Sequence, residues 1–516
     1  MASRTQNAKR NIVTSVVNKL IIMLSNYIMR IVLIRYLGEV YLGLDSLFVS
    51  ILQILSLSEL GMTSAMVYCM YKPLAENDTP TICALLKLYR TVYRWIALAM
   101  TVLGAAITPF LPIIIKKDLP DGINLYVLFF INLGNTVLSY LMFAYRSMLF
   151  TADQKYSTNN NIYSVFKIGA TAVQIAAIIL FQNYYFYSLV LPLSTIAKNI
   201  ALYVLSNKMY PQYRCEGVVP KETISDIKKR VSGMFLHKVG AVFQNSLDSI
   251  VISAFLGLTV LAKYNSYYYI INAITGTLIL ISNSVTATAG NSIVTETKAK
   301  NFSDFKKLQL LYMWLSSWLT VGFAVCLQPF VKLSFGETML FPDGIMLIVC
   351  FYFFTMQFSR IILLYHQAAG LWWYDRYRPV VAAVVNITLN VLLVRFIGVS
   401  GVMFSTIFCI LFIECAWAAR TLFKYYFTDE KMSIYFYRLL LSMLLTMVSS
   451  TICCFLCSKI RLEGIPAICV NGIIATVVSN AVYAAGSSFL PEFKPTIEFA
   501  LRVSGIKKLF KKRIPK

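Results

Sequence analysis

The sequence predicts an all-α integral membrane protein of about fourteen transmembrane helices, and two observations carry that prediction. Of its 516 residues 58% are hydrophobic and only 14% charged, with a mean hydropathy of +0.67, whereas soluble globular chains are about 25% charged. Apolar runs of spanning length follow one another with only short polar gaps, and a bilayer core of roughly 30 Å needs about 20 such residues per helix.

The expected spans are 12–35, 42–63, 90–114, 124–148, 160–181, 185–207, 232–256, 264–288, 309–333, 342–366, 378–397, 402–422, 434–458 and 466–489. The first is too long for a cleavable signal peptide, carries internal cations and lacks a small-residue cleavage site, so it is expected to stay in the membrane. No connection is long enough for a soluble domain. The largest, KMYPQYRCEGVVPKETISDIKKRV, is basic and divides six spans from eight. The chain therefore reads as a six-helix lobe at 1–207, a cytoplasmic basic connector at 208–231, a second six-helix lobe at 232–422, two additional helices within 434–489, and a basic tail at 490–516. The tail ends in GIKKLFKKRIPK, expected to lie on the membrane surface.

Charge sets the orientation. Most of the 47 Lys and Arg fall in loops on the side of the N-terminus, which predicts that both termini are cytoplasmic. The net charge of +24 is assigned to this bias and to attraction for anionic membrane lipid, not to nucleic acid.

A shift of 219 residues aligns the first span with the seventh, KVGAVFQNSLDSIVISAFLG. It pairs Lys19 with Lys238, Asn26 with Asn245, Ile31 with Ile250, Val32 with Val251, Leu37 with Leu256, Gly38 with Gly257 and Leu42 with Leu261. Apolar coincidences are cheap between membrane helices, but coincident Lys and Asn inside spans are not. Parallel halves of this kind are a transporter architecture, with the site near the interface between the halves.

The charges inside the spans then bear on function. At about 100° per residue, Asn26 and Arg30 each lie within roughly 20° of Lys19, so the three form one polar stripe. Lys238 and Asn245 repeat it, with Asp248 on the flank. A central Lys or Arg costs roughly 2.5 to 3.5 kcal/mol on insertion scales, so such residues usually face a bundle interior or water. Lys19 and Lys238 lie near span ends, where snorkelling is an equal alternative; Arg30 sits deeper. Lys198 and Arg360 either extend the cationic surface or bridge helices. The acidic partners in view are Asp248, Glu414 and Glu59. A surplus of buried positive charge wants an anion, and phosphate or diphosphate suits Arg by bidentate contact and Lys as a point charge. Asp248 and Glu414 are also candidates for coupling to a cation gradient, with interhelical pairing as the alternative.

Other features are blander. No G-x-x-x-x-G-K-[ST] loop is present, so ATP hydrolysis is not carried on this chain, and no catalytic constellation or cofactor motif stands out. The 11 cysteines are dispersed except Cys453, Cys454 and Cys457, which lack nearby histidine and read as packing residues, not metal ligands. His237 beside Lys238 is a cavity candidate, and His366 reads as an interfacial helix end. YNSYYYI at 264–270 and WWY at 372–374 read as aromatic belts.

Four segments carry a family resemblance: SELGMTSAMVYCMYKPLAENDT at 58–79, NSLDSIVISAFLGLTVLAKYNSYYYIINAI at 245–274, TATAGNSIVTE at 286–296 and LLYHQAAGLWWYDRYRPVVAAVVNITLNVLLVRFIGVSGV at 363–402. Together they resemble Wzx-type oligosaccharide flippases, of O-antigen or capsular polysaccharide, in the superfamily that also holds multidrug exporters and lipid II flippases. The resemblance covers nearly the whole chain. It implies two six-helix lobes around a central cavity and alternating access that moves an undecaprenyl-diphosphate-linked oligosaccharide from the inner to the outer leaflet of a bacterial cytoplasmic membrane, for cell-surface polysaccharide. It further implies that cations of the first and seventh spans line the cavity, here Lys19, Arg30 and Lys238, and that a polysaccharide polymerase and export machinery act beside it. Fourteen spans resemble the lipid II flippases more than the twelve-span O-antigen members, and the last two would offer a lateral groove for the prenyl tail. The alternatives are a multidrug or cation exporter of the same superfamily, which would want an anionic cavity, and a membrane glycan polymerase or ligase, which would want a sizeable outer loop bearing Arg and His.

Overall fold

Short polar side chains decide where several helices start. In the computed structural model, which describes residues 4–59, 62–115, 118–120, 122–460 and 462–503, Asp78 accepts the Thr81 amide at 3.1 Å. Asn124 accepts the amides of Tyr126 and Val127, Asn183 that of Tyr185, and Thr297 that of Lys300. Each satisfies a first-turn amide that has no partner inside its helix.

The helices are α1 (Arg4–Tyr36), α2 (Glu39–Leu55), α3 (Met62–Glu76), α4 (Thr79–Ile107), α5 (Leu111–Ile114), α6 (Leu125–Leu141), α7 (Ser147–Ala152), α8 (Tyr156–Phe181), α9 (Tyr184–Met209), α10 (Lys221–Leu256) and α11 (Leu258–Thr295). They continue with α12 (Lys298–Phe335), α13 (Asp343–Met356), α14 (Arg360–Ala368), α15 (Arg378–Ile397), α16 (Val399–Phe408), a π-helical segment at Cys409–Cys415, α17 (Ala416–Tyr425), α18 (Met432–Ser458), α19 (Gly464–Ser487) and α20 (Phe493–Val503). No strand occurs among the described residues.

The chain is a multi-pass membrane protein. Among the described residues eleven helices are long and apolar enough to cross a membrane, or twelve if α6 and the stretch after it, bent by 48°, form one span. The count of fourteen is therefore not confirmed. The expected spans at 42–63 and 264–288 fall on α2 and α11, which are not among the eleven. α2 has only 17 residues before the chain tightens into a 3₁₀ turn at Ser56–Glu59.

Two compact units divide the chain, Met1–Asn265 and Ser266–Lys516. In the first, α1 packs along α8, α8 along α9, α9 on α6 and α6 on α4, while α10 lies on α2 and α3. Phe48 and Phe129, both fully buried, meet at 5.8 Å between ring centroids where α2 approaches α6. In the second, α12 is the spine on which α13, α18 and α19 pack. Val321, Val325, Cys453 and Ala475 form an apolar cluster on it, flanked by Cys326 and Cys457. Asn386, Asn390, Ser405 and Thr406, all buried, are linked by hydrogen bonds between α15 and α16.

The offset of 219 residues recurs in backbone geometry. Gly38 joins α1 to α2 at φ 105°, and Gly257 joins α10 to α11 at φ 97°. The Gly38 amide donates to Leu33 and Ile34 carbonyls at 3.1 Å, and the Gly257 amide donates to those of Ile252 and Ser253 at 3.2 Å. Both are the same turn, in a region of φ/ψ space open essentially to glycine.

Candidate functional site

The cationic stripe expected on α1 divides in the fold. Asn18 is buried and donates to Asn161 on α8 at 2.9 Å, and Asn160 reaches Ser15 at 3.4 Å. These bonds fix which edge of α1 faces α8. Lys19, the next residue round the helix, is exposed, while Asn26 and Arg30 are half-buried.

Arg30 belongs to a cluster built from four helices of the first unit. Its charge and that of Lys167 on α8 both act on Asp45 of α2. From α9, the Tyr187 hydroxyl donates to Asp45 Oδ1 at 3.4 Å. Tyr187 and Tyr184 are buried and stack at 5.2 Å, and Tyr41 packs on Tyr184 at the same centroid distance. Two cations thus act on one carboxylate beside an aromatic wall, an excess of positive charge inside a membrane-length helix bundle. Such a surplus attracts an anion able to displace part of the carboxylate's role.

Asp45 and Lys167 were not among the residues expected to matter. Lys167 lies near the start of the expected span 160–181 and Asp45 near the start of the second, 42–63, each without an oppositely charged neighbour in sequence. The signal that finds both is the rule that flagged Arg30: an ionisable residue inside a membrane-length run wants a partner in the bundle. Glu59, by contrast, has neutral partners. Its oxygens accept from Thr63 at 2.5 Å and Tyr140 at 2.7 Å, and Tyr89 in turn donates to Thr63 and Tyr93.

The other expected residues take separate places. Lys198 on α9 is half-buried, its ammonium 5.6 Å from the centroid of the Tyr163 ring on α8, a cation–π contact between helices. Lys238 on α10 is half-buried. The side chains of Asn245 and His237 lie outside the described residues. Asp248 is buried and accepts from Tyr264 at 3.2 Å. In the second unit, Arg360 opens α14, its buried Nε without a hydrogen bond among the described residues, and its charge acts on Tyr312, whose hydroxyl donates to Gln357 at 2.9 Å. Glu414 is half-buried within the π-helical segment, a kind of turn that often marks functional positions.

Two readings of aromatic and histidine residues need correction. Tyr264 and Tyr267 are buried, Tyr267 bonding to Gln328 and to the Phe341 amide, so they are packing residues and not an interfacial belt. His366 does end α14 but is fully buried. Its Nε2 lies 3.2 Å from Asp375 Oδ2, which also takes the Arg378 Nε at 2.8 Å. Burial alone would raise the Asp375 pKa, but the His366 imidazole beside it and the charge of Arg378 outweigh it and hold the carboxyl below its ordinary value.

The second unit also holds an apolar groove of about 390 Å³ bordered by α11, α12 and α19. Ile270, Trp318, Phe323, Phe330 and Ile468 line it, and Gly322 and Gly472 keep it open.

Comparison with known proteins places this geometry. The model of the polysaccharide biosynthesis protein family matches residues 8–287. No curated protein sequence matches. Among solved structures, the chain is similar to an inward-facing multidrug resistance MATE family transporter of the MOP superfamily, at 12% identity and TM-score 0.61, over 80% of this chain and 95% of that one. It is similar to the lipid II flippase MurJ in an inward closed conformation, at 13% identity and TM-score 0.61, over 93% and 99%. It is also similar to the Vibrio cholerae MATE transporter VcmN, at 12% identity and TM-score 0.54, over 84% and 100%. At these identities the likeness is one of fold.

Proposed function

Because the chain belongs to the polysaccharide biosynthesis protein family, we propose that it is a non-enzymatic flippase that carries a lipid-linked oligosaccharide, joined through diphosphate to an undecaprenyl chain, from the inner to the outer leaflet of a bacterial cytoplasmic membrane. Both termini are cytoplasmic in this reading, the segments 1–207 and 232–422 are the two lobes, and the product feeds a polysaccharide polymerase.

One observation carries the reading most directly: Arg30 and Lys167 outnumber Asp45 in the α1, α2, α8 and α9 cluster. A diphosphate takes a place beside Arg30 and Lys167, near Asp45, with Lys19, Asn26, Lys238, Asn245, Lys198 and Arg360 as further contacts along the path. The groove beside α19 suits a prenyl chain, since its wall is almost wholly apolar. The fold of the lipid II flippase covers 93% of this chain, against 80% and 84% for the two exporters, which favours a flippase with helices beyond the exporter set. A cation exporter would need unpaired carboxylates, and Asp45 is met by two cations.

The test is the sidedness of the diphosphate-linked oligosaccharide in cells lacking the protein, complemented by wild type, Arg30→Ala or Lys167→Ala at matched membrane levels. Accumulation on the inner leaflet, cleared by wild type and not by the variants, supports the reading. Unchanged sidedness on loss of the protein refutes it, and uptake or efflux of organic cations would then identify the exporter alternative.

A further inference from the structure

A second cavity in the second unit, of about 470 Å³, lies under the C-terminal helix α20, within the size range of small-molecule sites. Its roof is firmly attached. Glu492, immediately before α20, forms a buried ion pair with Arg438 of α18, and Phe493 stacks on Trp314 of α12 at 6.0 Å and 11°. The floor is equally fixed: Asn301 donates to the Ser292 carbonyl at 3.0 Å and accepts from the Ser292 hydroxyl at 2.8 Å, tying the end of α11 to the start of α12.

The lining is split by chemistry. Val285, Ala289, Leu308 and Phe499 form an apolar side. Charges of both signs also line it, beside the hydroxyls of Thr288, Ser292 and Tyr365: Lys300 and Lys307 reach Asp304 at 3.1 and 3.0 Å, and Glu498 comes from α20. Two ammonium groups and two carboxylates sum to zero. A simple anion would therefore gain little net Coulomb energy here, whereas a ligand carrying both a phosphate and an ammonium meets complementary charge with each.

We infer that this cavity binds a zwitterionic phospholipid headgroup, a phosphodiester bearing a primary ammonium, with Lys300 and Lys307 on the phosphate, Asp304 and Glu498 on the ammonium, and the first carbons of the chains along Val285, Ala289 and Phe499. The amphipathic α20 suits a membrane surface, with Phe499 lining the cavity and Lys494 exposed. The site is separate from the Arg30 cluster and does not depend on what the protein transports.

The experiment is lipid binding to the full-length protein in detergent, read by native mass spectrometry and by thermal shift, with phosphatidylethanolamine, phosphatidylcholine, phosphatidylglycerol and undecaprenyl phosphate as separate probes. Phosphatidylethanolamine should bind at least about tenfold more tightly than the others, because only its ammonium has N–H donors for Asp304 and Glu498. Glu498→Gln, an isosteric change at an exposed residue of α20, leaves the fold intact and should erase most of that preference, and Lys307→Ala should weaken all the phosphate lipids together. Equal binding of the four lipids, a preference for phosphatidylglycerol or undecaprenyl phosphate, or a Glu498→Gln variant with unchanged preference and unchanged thermal midpoint would each overturn the inference.

Discussion

Gly38 and Gly257, 219 residues apart, form the same helix-to-helix turn, at φ 105° and 97°, with amides bonded to carbonyls at matching positions of α1 and α10. A residue with a Cβ is strained there whatever the space around it; at Gly38 an added Cβ would meet nothing within 4 Å. Gly38→Ala should therefore cost about 1 to 3 kcal/mol through backbone strain alone. The thermal midpoint in detergent should fall for Gly38→Ala and Gly257→Ala alike, while Gly134→Ala, in open space within α6, should be neutral or stabilising. Equal midpoints for all three would remove the strain argument.

Asp45 is the counter-ion on which Arg30 and Lys167 converge. All three are half-buried, so removing the carboxylate leaves two cations uncompensated at a cost below the roughly 3 kcal/mol of a fully buried pair. Asp45→Asn should lower the thermal midpoint and the membrane level of the protein, and Asp45→Asn with Lys167→Met should recover most of the loss by restoring the balance. A double variant no more stable than Asp45→Asn would show that the cluster does not act as a charge unit.

The α1 stripe shows how far the sequence can be read and where it stops. Helical periodicity places Lys19, Asn26 and Arg30 on one side of α1, and the recurring Lys, Asn and Leu-Gly at a fixed offset disclose the repeated turn, because both signals are local. Which helix that side meets is not local: α8 begins more than a hundred residues later, so Lys167, though inside the expected span 160–181, has no visible link to Arg30 until α8 is laid against α1. Asp45 has the same problem, since its partners come from α1, α8 and α9. His366 differs again, for its partners Asp375 and Arg378 are near in sequence. They were missed because an aromatic loop at a span end reads as an interface, while in the fold Asp375 turns inward.

That inward Asp375 gives a pH dependence with a definite sign. Its folded pKa lies below the unfolded value, so the carboxylate contributes stability that is fully present above about pH 4, the ordinary Asp value, and is lost as pH falls through the lower folded pKa. The difference in thermal midpoint between wild type and Asp375→Asn should be largest near pH 6 and shrink below about pH 4. His366→Ala removes the imidazole beside the carboxylate and should move the acid loss to higher pH. A gap between wild type and Asp375→Asn that stays constant across this range would mean that Asp375 acts by shape and not by charge.

Filling the apolar groove separates a role in substrate passage from a role in packing. An added Cβ at Gly322 meets no atom within 4 Å, and Gly322 lines the groove between α11, α12 and α19. The side chain of Gly322→Leu would therefore occupy free groove volume without displacing α19, and leucine favours the α12 helix over glycine by about 0.8 kcal/mol. The fold should be retained or slightly stabilised. If a prenyl chain lies in the groove during transit, clearance of the undecaprenyl-linked oligosaccharide should fall about tenfold or more in Gly322→Leu, because the leucine side chain takes the packing contacts that the groove offers to the chain, and lipid tails do not supply the same fixed fit. The same variant should clear a farnesyl-linked analogue nearly as well as wild type, since a shorter chain needs less of the groove. Equal impairment with both chains would point to a disturbed helix pair, and no impairment with either would show that the tail travels elsewhere.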